Sequence, residues 1–149
     1  MKLIMMVALG LSLNVFCLAK GQQESSRIAN KKLVTDFYDL AFNQHEAKHA
    51  AILYLNESYI QHNPHVSSGR LAFIKAFEGE NPKAIDHTVF IRIIAEGDLV
   101  ALHSHKIQTP GEPGRVGVDL FRIENGKIAE HWDVNQDVPL KTASGNNVY

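Results

Sequence analysis

One cysteine, Cys17, stands in 149 residues, so neither an intrachain disulfide nor a cysteine-based metal site can form within one chain. An excess of either charge is missing as well. Fifteen Lys plus Arg oppose sixteen Asp plus Glu for a formal net charge of −1, which excludes the basic surplus that nucleic-acid binding draws on. No long block of single-sign charge suggests a disordered tail. An apolar run of the about 20 residues that cross a bilayer is also lacking. The longest, Leu3 to Leu18, passes straight into Lys20-Gly21-Gln22-Gln23. Repeats and low-complexity tracts are absent. What remains, 45% apolar and 21% charged residues, is the composition of one soluble globular domain.

The short apolar run has its own meaning. Met1-Lys2 supplies a positive start, and Cys17 and Ala19 place small residues at −3 and −1 of a cut after Ala19. This predicts a secretory signal peptide over 1–19, export to a periplasmic or secreted location, and no membrane attachment after cleavage. Lipidation of Cys17 is the alternative, and the bulky Phe16 before it argues against that. The mature chain would carry no cysteine, which suits an oxidising compartment. A linker is expected over 20–26, the folded domain over 27–140 and a loose tail over 141–149.

Within the domain, apolar residues recur at three- and four-residue steps from Arg27 to Asn43: Ile28, Val34, Phe37, Tyr38, Ala41 and Phe42. A second short helix is expected over Glu46 to Leu55. A third is capped by Ser67 or Ser68, faces Leu71, Phe73, Ile74 and Phe77 inward, and is stopped by Gly79 and Pro82. From residue 86 the period falls to two. His87 to Ala95, Leu99 to Thr109, Arg115 to Glu124 and Lys127 to Val134 read as strands separated by Gly97-Asp98, Pro110 to Gly114 and Asn125-Gly126. Asn125-Gly126 is a strong hairpin signal because both central positions of a type I′ turn need positive φ. Three helices followed by about four antiparallel strands define an α+β domain, its helices covering one face of a curved sheet around an internal pocket.

Strand alternation then selects the side chains that meet inside. Ala101, His103, His105 and Ile107 share one face, opposite Leu102, Ser104 and Lys106. Gly117, Asp119, Phe121 and Ile123 lie together, as do Ala129, His131 and Asp133. Taking Lys106 and Arg122 as solvent-facing puts histidines and two carboxylates inside, and buried titratable groups of that number demand pairing.

Tyr59-Ile60-Gln61-His62-Asn63-Pro64, Gly69, and the run Val118 to Asp133 containing Arg122-Ile123-Glu124-Asn125-Gly126-Lys127-Ile128-Ala129-Glu130-His131 resemble the SnoaL-like polyketide cyclase group of the nuclear-transport-factor-two-like superfamily. The resemblance spans nearly the whole mature chain. It implies a cone-shaped α+β barrel with a deep pocket, and it makes Asp133 the counterpart of the cyclase general acid/base for intramolecular aldol condensation. A pocket histidine of the cyclases falls on Asp119, a departure that breaks the cyclase proton-transfer pair. Trp132 likewise stands where the cyclases are polar.

The expected catalytic residues are therefore Asp133, Asp119 and His131. An apolar cavity raises an Asp toward the range of a useful base, and a nearby histidine, His131 or else His103 or His105, can donate to an enolate oxygen. Tyr59, His62, Asn63, His103, His105, Phe121 and Trp132 are expected to contact the ligand, a small hydrophobic carbonyl compound. His62-Asn63-Pro64 also reads as a simple turn. The expected activity is lyase- or isomerase-like, needing no cofactor and no metal, with a non-catalytic binding domain of the same fold as the alternative. A rival metal reading takes Gly97, His103 and His105 as the start of a cupin motif completed by His131, but no Glu follows at the required spacing. Outward Val118, Leu120, Ile128 and Trp132 predict a homodimer.

Overall fold

The computed structural model describes residues 2–79, 87–109 and 111–149, with side chains from residue 20 onward. Helix α1 runs Lys2–Tyr38 and ends in a π-helical turn, Asp39–Asn43; α2 is Ala47–Tyr54, β1 is Leu55–Gln61 and α3 is Arg70–Phe77. Strands β2 His87–Glu96, β3 Leu99–Ile107, β4 Arg115–Glu124 and β5 Lys127–Asp137 complete the α+β fold. The residues expected as a linker, 20–26, continue α1 as helix. Among the described residues no helix is long and apolar enough to cross a membrane. Pro82 and Pro110, named above as a helix stop and a turn residue, lie outside the described residues.

The curved, open sheet has the order β1-β5-β4-β3-β2, five strands instead of four. It is mixed, not wholly antiparallel: β1 pairs parallel with β5, matching Gln61 to His131. Local pattern could not show β1, because Asn56-Glu57-Ser58 is polar, no turn separates it from α2, and its partner lies some seventy residues away. The β4–β5 hairpin closes through Asn125 and Gly126 at φ 51° and 70°, the positive values that the type I′ turn requires.

The helices pack their narrow apolar faces on the concave side. Phe37 sits at the centre, its ring 5.6 to 6.4 Å from those of Phe42, Tyr54, Phe73 and Phe121, distances at which edge-on aromatic packing is favourable. Ala47, Ala50 and Ala51 let α2 approach closely, and all three are buried. The π turn is held by its own side chains. The Asp39 carboxylate accepts from Asn43 Nδ2 at 3.0 Å and Gln44 Nε2 at 2.7 Å. Asn43 also exchanges two hydrogen bonds with the Thr88 backbone, so its amide extends edge strand β2.

Three local expectations change. Neither serine caps α3: Gly69 occupies the N-cap at φ 101°, and Ser68 Oγ instead accepts the Gln61 N–H at 3.1 Å. Leu71 is 79% exposed, while Phe73 and Ile74 supply the helix's buried contacts. The tail is not free, since the Tyr149 ring stacks on His105 with centroids 4.0 Å apart.

Candidate functional site

Pairing decides which face of each strand meets the helices. Asp119 on β4 stands directly opposite Leu102 of β3 and Asp133 of β5, and direct cross-strand partners share a face. The concave face is a ladder of four rungs. From the open end they are Lys106 with Arg115; Ser104, Gly117 and Asn135; Leu102, Asp119 and Asp133; and Val100, Phe121 and His131. This reverses the face expected for β3. His103 and His105 point away from the cavity, and Leu102, Ser104 and Lys106 point toward it. Assigning Lys106 to solvent caused the error, because its rung lies at the mouth, where a long cationic side chain is both inward and wet. A bulge between Arg122 and Ile123 turns Ile128 into the core as well, removing it from the outer face.

Ladder and helices enclose a cavity of about 280 Å³ lined by aromatic rings of Phe37, Tyr38, Phe42, Phe73 and Phe77 and by the polar groups of the rungs. Of the residues expected in the site, the structure brings Asp133, Asp119, His131, Tyr59, Asn63 and Phe121 together there. Four others lie elsewhere. His62 stacks on Trp132 on the convex side, centroids 4.6 Å apart and nearly parallel, and donates from Nε2 to Glu130 at 2.7 Å. His103 Nδ1 accepts from Arg92 at 2.9 Å, and His105 donates from Nε2 to the Pro113 carbonyl at 2.7 Å. Consequently His103, His105 and His131 do not converge, and among the described residues no cluster of three or more His, Cys, Asp or Glu is placed to hold a metal ion.

The polar base of the cavity has a determinable proton arrangement. Gln61 Oε1 accepts the backbone N–H of Asn63 at 3.0 Å, while its Nε2 donates to the Tyr59 hydroxyl at 3.0 Å. A backbone N–H can only donate, so the oxygen side of that amide is settled. His131 Nδ1, 2.8 Å from the same oxygen, must then carry a proton. The other ring nitrogen, Nε2, lies 2.9 Å from Asp119 Oδ1. A single proton is shared across that contact, in a pair whose side chains are 11% and 9% exposed. Burial pushes the Asp119 carboxyl up from its ordinary range, opposed by the His131 hydrogen bond. Burial first, and then the nearby Asp119 charge, pushes the Tyr38 hydroxyl well up, so it keeps its proton. Burial raises the Tyr59 hydroxyl in the same way.

Asp133 is held differently. Asn63 Nδ2 lies 2.8 Å from both of its oxygens and Asn135 Nδ2 lies 2.8 Å from Oδ2. The Asn63 amide is itself fixed, because its Oδ1 accepts the His65 N–H at 2.8 Å. Two amides that can only donate thus orient a carboxylate that can accept a further proton at the cavity surface. Gln61, Tyr38, Ser104 and Asn135 escaped the sequence reading. Treating 59–63 as extended would have found Gln61, since alternation puts Tyr59, Gln61 and Asn63 on one face and His62 on the other.

An aromatic pocket whose floor carries a fixed carboxylate and a proton-sharing pair, inside a helix-covered curved sheet, defines a small-molecule pocket of the nuclear-transport-factor-two-like type. The SnoaL-like domain family matches residues 34–131, close to two thirds of the chain, and the protein belongs to that family. Similar solved structures include TsrD from Streptomyces laurentii, at 21% identity and TM-score 0.57 over 74% of this chain and 90% of that one. A proposed polyketide cyclase from Acidithiobacillus ferrooxidans shares 15% identity, TM-score 0.59, over 72% and 88%. A proposed ketosteroid isomerase from Kribbella flavida shares 16%, TM-score 0.63, over 78% and 84%. At these identities the likeness is one of fold. No curated protein matches the chain.

Proposed function

We propose that the protein catalyses proton transfer at the carbon next to a carbonyl group, in enolisation or aldol-type chemistry on a hydrophobic compound. The observation that carries this reading is the rung pairing Asp119 with Asp133, which sets a carboxylate acceptor beside a buried carboxyl–imidazole pair that holds one proton. In the reaction Asp133 takes the α-proton and the C–H electron pair becomes the enolate C=C bond. Charge moves to the carbonyl oxygen, which accepts from the Tyr38 hydroxyl or from the proton of the Asp119–His131 pair. Return of a proton to carbon completes an isomerisation, and attack of the enolate carbon on a second carbonyl, whose alkoxide oxygen then takes the proton from Asp133, completes an aldol step. Phe37, Phe73 and Phe121 exclude water around the reacting carbon.

The test is deuterium exchange at the α-carbon of aromatic and alicyclic ketones that bind in a thermal-shift screen. Asp133→Asn should slow exchange by about 10²- to 10⁴-fold while binding and melting temperature change little. Binding without exchange by the natural chain would leave a non-catalytic binding domain. Exchange that survives Asp133→Asn would move the base to another group.

Export and pairing belong to the same proposal. Residues 1–19 direct the chain out of the cytoplasm, and N-terminal sequencing of exported protein should begin near Lys20; an intact Met1 in soluble cytosolic protein would overturn this. Val118, Val134, Ile60 and Ile94 are exposed on the outer sheet face and favour a homodimer there. A monomer mass by light scattering at micromolar concentration would exclude it.

A further inference from the structure

The acid/base reading leaves the cavity mouth unexplained. There Lys106 and Arg115 face each other across β3 and β4 on the same concave face as the carboxylates, and both line the cavity. The Lys106 ammonium lies 5.8 Å from the centroid of the Phe42 ring, on the pocket's own aromatic wall. Arg115 spends its Nε on Asp137 at 2.9 Å, an exposed partner on the same rung. A guanidinium offers five N–H donors, so that contact leaves capacity for a second anion.

Between mouth and floor the rung is kept low. Its central residue is Gly117, where an added Cβ would stand 2.9 Å from Asn135 Oδ1 and 3.7 Å from Asp119 Oδ2. The missing side chain makes room for the Asn135 and Ser104 side chains over this rung, and one cavity runs past them from the cations to the carboxylates. Arg115 and Asp119 are four residues apart, about 13 Å along an extended strand. The long side chains span part of this, which leaves roughly 8 Å between a ligand's anionic end and its reacting carbon.

Resting on the acid/base reading for the position of the reacting carbon, we propose that the ligand is an elongated aromatic keto acid, whose carboxylate is held by Lys106 and Arg115 at the mouth while its carbonyl end reaches Asp133. The order of the ladder makes the orientation one-way. A carboxylate at the floor would meet Asp119 and Asp133, whereas at the mouth it meets two cations in an open, partly solvated setting. The enclosed volume of about 280 Å³ lies near the lower end of small-molecule sites and suits two fused rings.

The test compares 6-acetyl-2-naphthoate with its neutral carboxamide, which differ at the end assigned to the mouth and carry the same exchangeable acetyl group. Calorimetric titration of the protein should show the acid binding at least about tenfold more tightly at low salt, with the ratio shrinking as salt screens the contact. In the double variant Lys106→Gln, Arg115→Gln the ratio should fall to about one with carboxamide affinity unchanged, and Lys106→Arg should preserve the preference. Equal affinities for the natural protein, a preference that survives the double variant, or no binding of either compound would overturn the proposal. Should the double variant fail to fold, the salt dependence of the unaltered protein decides. Deuterium exchange at the acetyl methyl separates the two readings. Selective binding without exchange keeps the mouth and removes the base, while exchange of both compounds with equal affinity keeps the base and removes the mouth.

Discussion

Replacing Asp119 by Asn tests the proton arrangement at the floor of the cavity. Asn reproduces a protonated carboxyl, with an amide that donates to His131 Nε2 and an oxygen that accepts from Tyr38, but it cannot ionise. Burial raises the Asp119 carboxyl above its ordinary value of 3.8, so the folded chain keeps a proton there that the unfolded chain releases. The stability this proton represents is complete below about pH 3.8 and is lost as pH rises through the raised value. Relative to the variant, the natural protein should lose about 1.4 kcal/mol for each pH unit in that window and then level off. At pH 4 the two should agree within about 1 kcal/mol, the scale of exchanging one neutral hydrogen bond for another. Above it the variant should become the more stable. Urea denaturation of both proteins, at intervals from about pH 4 to 8, measures the difference directly. A difference that stays flat with pH would refute the argument. So would a loss of about 3 kcal/mol or more in the variant throughout, the signature of breaking a buried ion pair.

Gly114→Ala should destabilise by about 2 kcal/mol or more, read by thermal melting, since its φ is 76° and an added Cβ would collide with the Lys106 carbonyl oxygen. Phe37→Ala removes the ring at the centre of the aromatic cluster and should cost about 3 to 5 kcal/mol by urea denaturation. Glu130→Gln should narrow its gap from the natural protein under acid. Arg122 first, and His62 second, hold the Glu130 carboxyl below its ordinary 4.5, so its contribution is present above that value and is lost as pH falls through the lowered one. A stability gap between the two proteins that stays constant from neutral pH into acid would contradict this.

Local signals were strong where one chain segment decides its own shape. The 3.6-residue spacing of Val34, Phe37 and Ala41, the alternation in β2 to β5 and the Asn125-Gly126 turn are properties of neighbouring residues, and each appears in the fold as read. The quoted motif residues also carried the family resemblance, and with it Asp133, Asp119 and His131 as one group. Three features depended on partners distant in sequence. β1 exists because β5 offers it a parallel edge and a place for Leu55 and Tyr59 in the core, which no periodicity in Leu55–Gln61 announces. The face of β3 followed from register with β4: alternation separates odd from even positions but does not say which set is inside. A one-residue change of parity exchanges His103 and His105 for Ser104 and Lys106. The protonation of His131 depended on Gln61, whose amide is oriented by Asn63 and Tyr59, a relation between β1 and β5 invisible along the chain. Sequence by itself therefore determined the elements other than β1, the family and the carboxylates, because these rest on short-range sterics, hydrophobic period and motif residues. Tertiary structure alone decided which titratable groups face one another and where each proton sits, because hydrogen-bond partners are set by distances across strands.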